Sequence, residues 1–166
     1  ANTWIANTPQ IASGASQLGA FYITGVQFEI GNVASAYESR AYGTELALCQ
    51  RYYFKSYPAA TGKNLTLSGY TTSTTSAVGI VHFPVSMRIS PTYFDRQATA
   101  NMYAVATPST TVVCSAPPAL NTVCSSTDFG AATFTVAAGL TANQPANGRT
   151  DVTNGALAYL GWSAEL

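Results

Sequence analysis

The chain has 166 residues, enough for one domain with its own core and too few for two confident ones. Apolar residues make up 47% but charged residues only 8%, and seven basic side chains balance seven acidic ones to a formal charge of zero. This balance removes the electrostatic footprint a nucleic-acid binder needs, and no run approaches the roughly 20 apolar residues of a membrane span.

With so few ions, the surface must be covered by Thr, Ser, Ala and Gly. A chain without charge repulsion is expected to bury apolar surface between subunits, so an oligomer is predicted. Residues 1–20 are small and polar, with Trp4, Ile5, Ile11 and Leu18 as scattered anchors, and read as a leader or the remnant of an upstream domain. They lack the basic region and long apolar core of a signal peptide, and Ala1 in place of Met reads as the start of a fragment.

Residues 21–30, FYITGVQFEI, alternate apolar and polar side chains with a slip at Gly25, the pattern of a half-buried strand carrying a bulge. After Gly43, the segment ELALCQRYY spaces Leu46, Cys49 and Tyr53 as on one helical stripe, with Thr44 as cap and Glu45 in the positive first turn. This is the one convincing helix. Strands are predicted in RYYFKSY, LTLSGY, SAVGIVHFPVSMRI, MYAVAT, TTVVC, ATFTVAA and ALAYLGWSAEL, each rich in aromatic or β-branched residues and bounded by Gly, Pro or Asn. Short antiparallel strands at turn-marked intervals predict an all-β sandwich or jelly-roll-like architecture.

Chemistry-bearing residues are sparse. His82, the one histidine, lies in IVHFPV and reads as structural, and no GxSxG elbow occurs. Asp95, Asp128 and Asp151 lie in loop-like sequence and read as turn residues rather than as a glycosidase pair. Cys49, Cys114 and Cys124 form no metal motif, and a bridge between Cys114 and Cys124 requires the intervening SAPPALNTV to fold back as a loop. No catalytic residue, metal site or cofactor is predicted. Aromatic rings stack on sugar faces while hydroxyl-bearing side chains bond to sugar hydroxyls, so turn-placed Tyr70, Tyr93, Asp95 and Arg96 are the candidates for glycan contact.

Residues 22–53, YITGVQFEIGNVASAYESRAYGTELALCQRYY, resemble a junction common in tail fibre and tailspike proteins of tailed bacteriophages. There a strand similar to ITGVQLEVG closes a jelly-roll module, and a GTELALCQRYY segment opens a trimeric C-terminal domain. HFPVSMRISPT at residues 82–92 resembles that family's FPVxMRxxPT strand and turn, and WSAEL at 162–166 resembles its ending. Phe28 and Ile30 depart from the usual aliphatic pair, ASAYE at residues 34–38 lacks the expected proline, and the stretch from 98 to 154 carries no family landmark.

The resemblance implies two parts: residues 1–42 as leader and last strand of an upstream jelly-roll module, and residues 43–166 as a C-terminal trimerising β domain. It implies a non-enzymatic virion structural protein of the tail fibre, assembled in the host cytoplasm. Leu46, Cys49 and Tyr53 would form the trimer seam. The expected partners are two further copies, other tail proteins and bacterial surface polysaccharide, with no nucleic acid and no membrane insertion. A stand-alone carbohydrate-binding module and a capsule depolymerase fragment are the alternatives.

Overall fold

The structure, a computed structural model, describes residue 30 and residues 40–58, 60–66, 68–153 and 158–165. The chain divides into two compact units, Ala1–Ser39 and Arg40–Leu166. The first, Ile30 aside, lies outside the described residues, and with it the strand expected at residues 21–30. The described residues of the second are mostly β, with one short α-helix α1 (Tyr42–Gln50), a 3-10 turn (Ala100–Met102) and nine strands: β1 (Tyr53–Ser56), β2 (Ser68–Thr71), β3 (Ser76–His82), β4 (Tyr93–Arg96), β5 (Tyr103–Ala106), β6 (Thr111–Leu120), β7 (Phe129–Val136), β8 (Asn147–Thr150) and β9 (Leu160–Ser163). No described helix is long and apolar enough to cross a membrane.

All strand pairs are antiparallel. Six strands run in the order β2-β3-β7-β6-β5-β8, and three in the order β1-β9-β4. The larger sheet curls into a nearly closed barrel, because its two edges meet: Asn64 bridges Arg149, and Tyr70 bridges Pro145. Two buried threonines stitch that seam. Thr66 Oγ1 accepts from the Gly148 amide (2.8 Å), and Thr71 Oγ1 accepts from the Gln144 amide (2.8 Å) while donating to the Thr141 carbonyl. Edge groups that would otherwise need water are thus paired inside the chain.

Inside the barrel Phe134 is fully buried and its ring fills the space beside Gly148, where an added Cβ would stand 2.1 Å from Phe134 Cζ. The small sheet is joined to the barrel by Trp162 at the centre of β9. Its indole lies on Gly130 of β7, where an added Cβ would stand 2.5 Å from Nε1, and Phe54, Phe83 and Phe94 ring it at centroid distances of 6.3, 6.1 and 5.3 Å. Tilted and edge-to-face contacts of this kind are the favoured aromatic geometry.

Several expectations are corrected here. Thr44 does not cap α1: the helix begins at Tyr42 behind Ala41, whose side chain makes no capping bond, and Ala41 O accepts from the Thr44 and Glu45 amides. Tyr53 is not on a helical stripe with Leu46 and Cys49, since the chain leaves the helix after Gln50 and Tyr53 opens β1. Tyr93, Asp95 and Arg96 form a strand rather than a turn. The SAPPALNTV segment is largely strand, with Pro117 and Pro118 absorbed where the β6–β7 register slips between Ala116 and Ala119. An extended β6 carries the chain roughly 20 Å beyond Cys114 before it turns, so Cys114 and Cys124 are not bridged and all three cysteines are free. ISPT ends no strand; β3 stops at His82, whose ring sits edge-on to Phe129 at 5.9 Å, a structural contact.

Replacing Gly148 by Ala should lower unfolding free energy by about 1–3 kcal/mol in urea titration, the usual cost of overpacking a filled core. Gly43, in α1 with nothing within 4 Å of its added Cβ, should tolerate the same change without loss. Burial pushes the Cys114 thiol up to about 12, so it is a neutral, protected group at ordinary pH. A thiol reagent should therefore label Cys114 only after denaturation, and labelling of all three thiols at one fast rate in the native protein would contradict that.

Candidate functional site

Alternation sorts the small sheet into two faces. Phe54, Trp162 and Phe94 share one register row and point to the core, whereas Tyr53, Ser163 and Tyr93 share the next row and face the other way, as do Lys55, Gly161 and Asp95. The outward face carries the densest chemistry among the described residues. Tyr53 reaches across β9, its ring laid over Gly161, and its hydroxyl donates to Asp95 Oδ2 at 2.9 Å. Only glycine permits this, because an added Cβ would stand 2.5 Å from the Tyr53 hydroxyl oxygen. Tyr159 donates to the other oxygen, Asp95 Oδ1, at 3.1 Å. The Lys55 ammonium sits 3.5 Å from the centroid of the Tyr159 ring, a cation–π contact. Tyr93, 65% exposed, flanks the group. Below it, Tyr103 donates to the Tyr159 carbonyl at 2.9 Å and so fixes that residue's backbone.

The electrostatics follow from this geometry. Burial and then the Asp95 hydrogen bond hold the Tyr53 phenol well above the ordinary tyrosine value, and the Asp95 bond is the first cause of the upward shift at Tyr159. Tyr103 is pushed up to about 12 by burial, against the opposing effect of its bond to the Gln97 backbone. All three phenols stay protonated and remain donors at physiological pH.

Sequence reasoning therefore found Tyr93 and Asp95 and missed Tyr53, Lys55 and Tyr159 as their companions. The other two candidates lie elsewhere. Arg96 has the parity of Phe94, on the core side of β4, with its guanidinium carbon 5.7 Å from the Phe94 ring centroid. Tyr70 stands on β2 of the other sheet, half exposed, at the barrel seam. Beside it a cleft of about 340 Å³ is lined by Ser68, Gly69, Thr107, Pro108, Pro145 and Asn147 among others, with no ionisable side chain.

The other two aspartates hold local backbone and hydroxyl contacts. Asp128 accepts from Ser86 and Thr127 hydroxyls near a turn, and Asp151 accepts from the Thr153 amide at 2.9 Å, holding its own backbone. No three His, Cys, Asp or Glu side chains among the described residues converge as metal ligands.

Helix α1 forms a second candidate surface. None of its side chains is buried, and Leu46, Leu48 and Cys49 all face outward from the chain. Leu46 and Leu48 are separated by about 200° around the helix, so its apolar residues encircle it rather than forming a stripe. Its root is fixed: the Arg88 amide donates to Arg51 O (2.8 Å) and the Ala164 amide to Tyr52 O (2.7 Å). Comparison of the chain with protein families, with curated proteins and with solved structures found no match.

Because the Tyr53 and Tyr159 phenols, which form a shelf over Gly161 with Asp95, titrate higher in the folded state than the unfolded value of about 10, their stabilisation is complete below that pH and is lost as pH rises above it. Thermal melts should therefore weaken above about pH 10 more steeply in the wild type than in a Tyr53→Phe, Tyr159→Phe double variant. In absorbance titration, Asp95→Asn should bring both phenols down, Tyr53 less completely because its desolvation persists. Unchanged phenol titration in that variant would contradict the hydrogen-bond assignment.

Proposed function

We propose that this chain is a non-enzymatic, trimerising C-terminal domain of a bacteriophage tail fibre, a virion part whose second role is contact with bacterial surface polysaccharide. The observation that carries the reading is α1: nine residues, including Leu46, Leu48 and Cys49, none of which is buried among the described residues. Helices below roughly 12–15 residues rarely persist alone in water, so this one needs a partner surface. Two further copies around an axis supply it, with Leu46 and Cys49 in the seam and Cys49 acting as a small hydrophobe. Tyr53, at the root of the helix, then stands beside the seam rather than in it.

In this reading the two sheets around Trp162 are the layers of a jelly-roll-like sandwich, and the 8% of charged residues is the composition of a surface largely covered by sister subunits and other tail proteins. The resemblance of GTELALCQRYY and HFPVSMRISPT to tail fibre landmarks supports the same assignment. The outward tyrosine and aspartate shelf favours a second reading, a stand-alone carbohydrate-binding module, which shares the glycan contact and not the assembly.

Light scattering after size exclusion separates the two. The trimer reading expects about three times the 17.3 kDa chain mass, and expects Leu46→Asp to dissociate or unfold the protein by placing an unpaired charge in an apolar seam. A folded 17.3 kDa species at micromolar concentration would favour the module.

A further inference from the structure

We infer that the shelf over Gly161 is where the proposed polysaccharide contact is made, and that it takes one uncharged pyranose residue; this rests on the attachment role proposed above. Three observations converge on it. The first is that Asp95 is already oriented. Each carboxylate oxygen accepts one phenol, from Tyr53 at 2.9 Å and from Tyr159 at 3.1 Å. A carboxylate has about four acceptor positions, so each oxygen keeps one for a ligand, the arrangement that receives two adjacent hydroxyls of a sugar ring.

The second is the exposed ring of Tyr93, two residues from Asp95 and on the same face of β4. It offers an apolar wall for the C–H face of a ring whose hydroxyls turn toward the carboxylate. The third is charge. Lys55 stands opposite Asp95 across Gly161, and its ammonium is held on the Tyr159 ring rather than in an ion pair with the carboxylate. The two opposite charges cancel, so neither a uronic acid nor an amino sugar gains a net electrostatic advantage. A neutral, hydroxyl-rich ring uses both, as donor to one and acceptor from the other. The span from β1 to β4 across β9, roughly 10 Å at the usual strand spacing, suits one sugar residue.

The test is ligand-observed saturation-transfer NMR on the full chain with five probes: maltotriose, mannotriose and galactotriose as neutral ligands, trigalacturonate as anion and tri-glucosamine as cation. At least one neutral probe should bind. Its affinity should fall tenfold or more in Asp95→Asn and in Tyr93→Ala, fall less in Tyr53→Phe, and stay unchanged in Tyr70→Ala, which lies on the other sheet. Tyr93 is largely exposed, so its variant keeps the fold and the result stands even if Asp95→Asn is destabilised. Binding of the charged probes alone, of no probe, or of a neutral probe indifferent to both Asp95→Asn and Tyr93→Ala would overturn the inference. Oligomer mass measured on the same sample keeps the two readings apart. A trimer that binds no neutral probe overturns the shelf and leaves the assembly, while a monomer that binds through Asp95 and Tyr93 supports the shelf and overturns the assembly.

Discussion

The seating of the Trp162 indole on Gly130 is the contact from which most of the described structure follows. Because Gly130 has no Cβ, a large ring can lie against β7, and the three phenylalanines around it close a core shared by barrel and small sheet. Trp162 thereby fixes the rotation of β9. Once that side chain points inward, Gly161 and Ser163 must face outward, and the register of β1 and β4 brings Tyr53, Lys55, Tyr93 and Asp95 out with them. The glycine under Tyr53 plays a matching part on the other side. Two missing side chains, at 130 and 161, let one ring dock inside and another lie flat outside, so the shelf is a consequence of core packing rather than an independent loop feature.

The barrel is stabilised differently. Its edges are tied by buried threonine hydroxyls that take up amides and carbonyls which a fully regular ladder would have paired. That device suits a chain with so few charges, since hydroxyls satisfy backbone groups without adding ions to be desolvated. The same poverty of charge leaves α1 without an ionic face to justify its exposure. The ion pair of Arg40 with Glu45 at 3.3 Å is exposed on both sides and contributes little. In the proposed assembly, symmetric copies of this helix cover the apolar residues that it exposes. Three shelves carried by one assembly would convert weak single-sugar contacts into useful avidity.

Much of the β character was legible, because SAVGIVH, MYAVA, TVVC and ATFTV are rich in β-branched or aromatic side chains, of which Val78, Val81, Tyr103, Val105 and Phe134 are buried. The helix was legible as well, although the observed span, Tyr42–Gln50, lies three residues toward the N-terminus of the predicted one. What escaped reading has physical reasons. Strand β8, Asn147–Thr150, points Gly148 and Thr150 inward, so it presents no apolar alternation at all. Strand β4 follows Ser90, Pro91 and Thr92, whose turn signals mask the Tyr, Phe, Asp, Arg alternation behind them. Prolines 117 and 118 suggested a loop because nothing in the sequence marks a register slip on the neighbouring strand. For the shelf, Tyr93 and Asp95 were visible as polar residues close to a turn, while Tyr53 and Tyr159 are 42 and 64 positions from Asp95 in sequence and meet it only through sheet pairing.

Hydrogen exchange of the α1 amides as a function of protein concentration tests most directly whether sister subunits cover this helix. In an assembly, amides of residues 46–50 exchange slowly at high micromolar concentration and speed up on dilution toward dissociation, while those of β3 and β7 in the barrel stay protected longer. If α1 exchanges rapidly at every concentration while the barrel amides remain protected, the helix has no partner surface and the account of this domain as an assembling unit is contradicted.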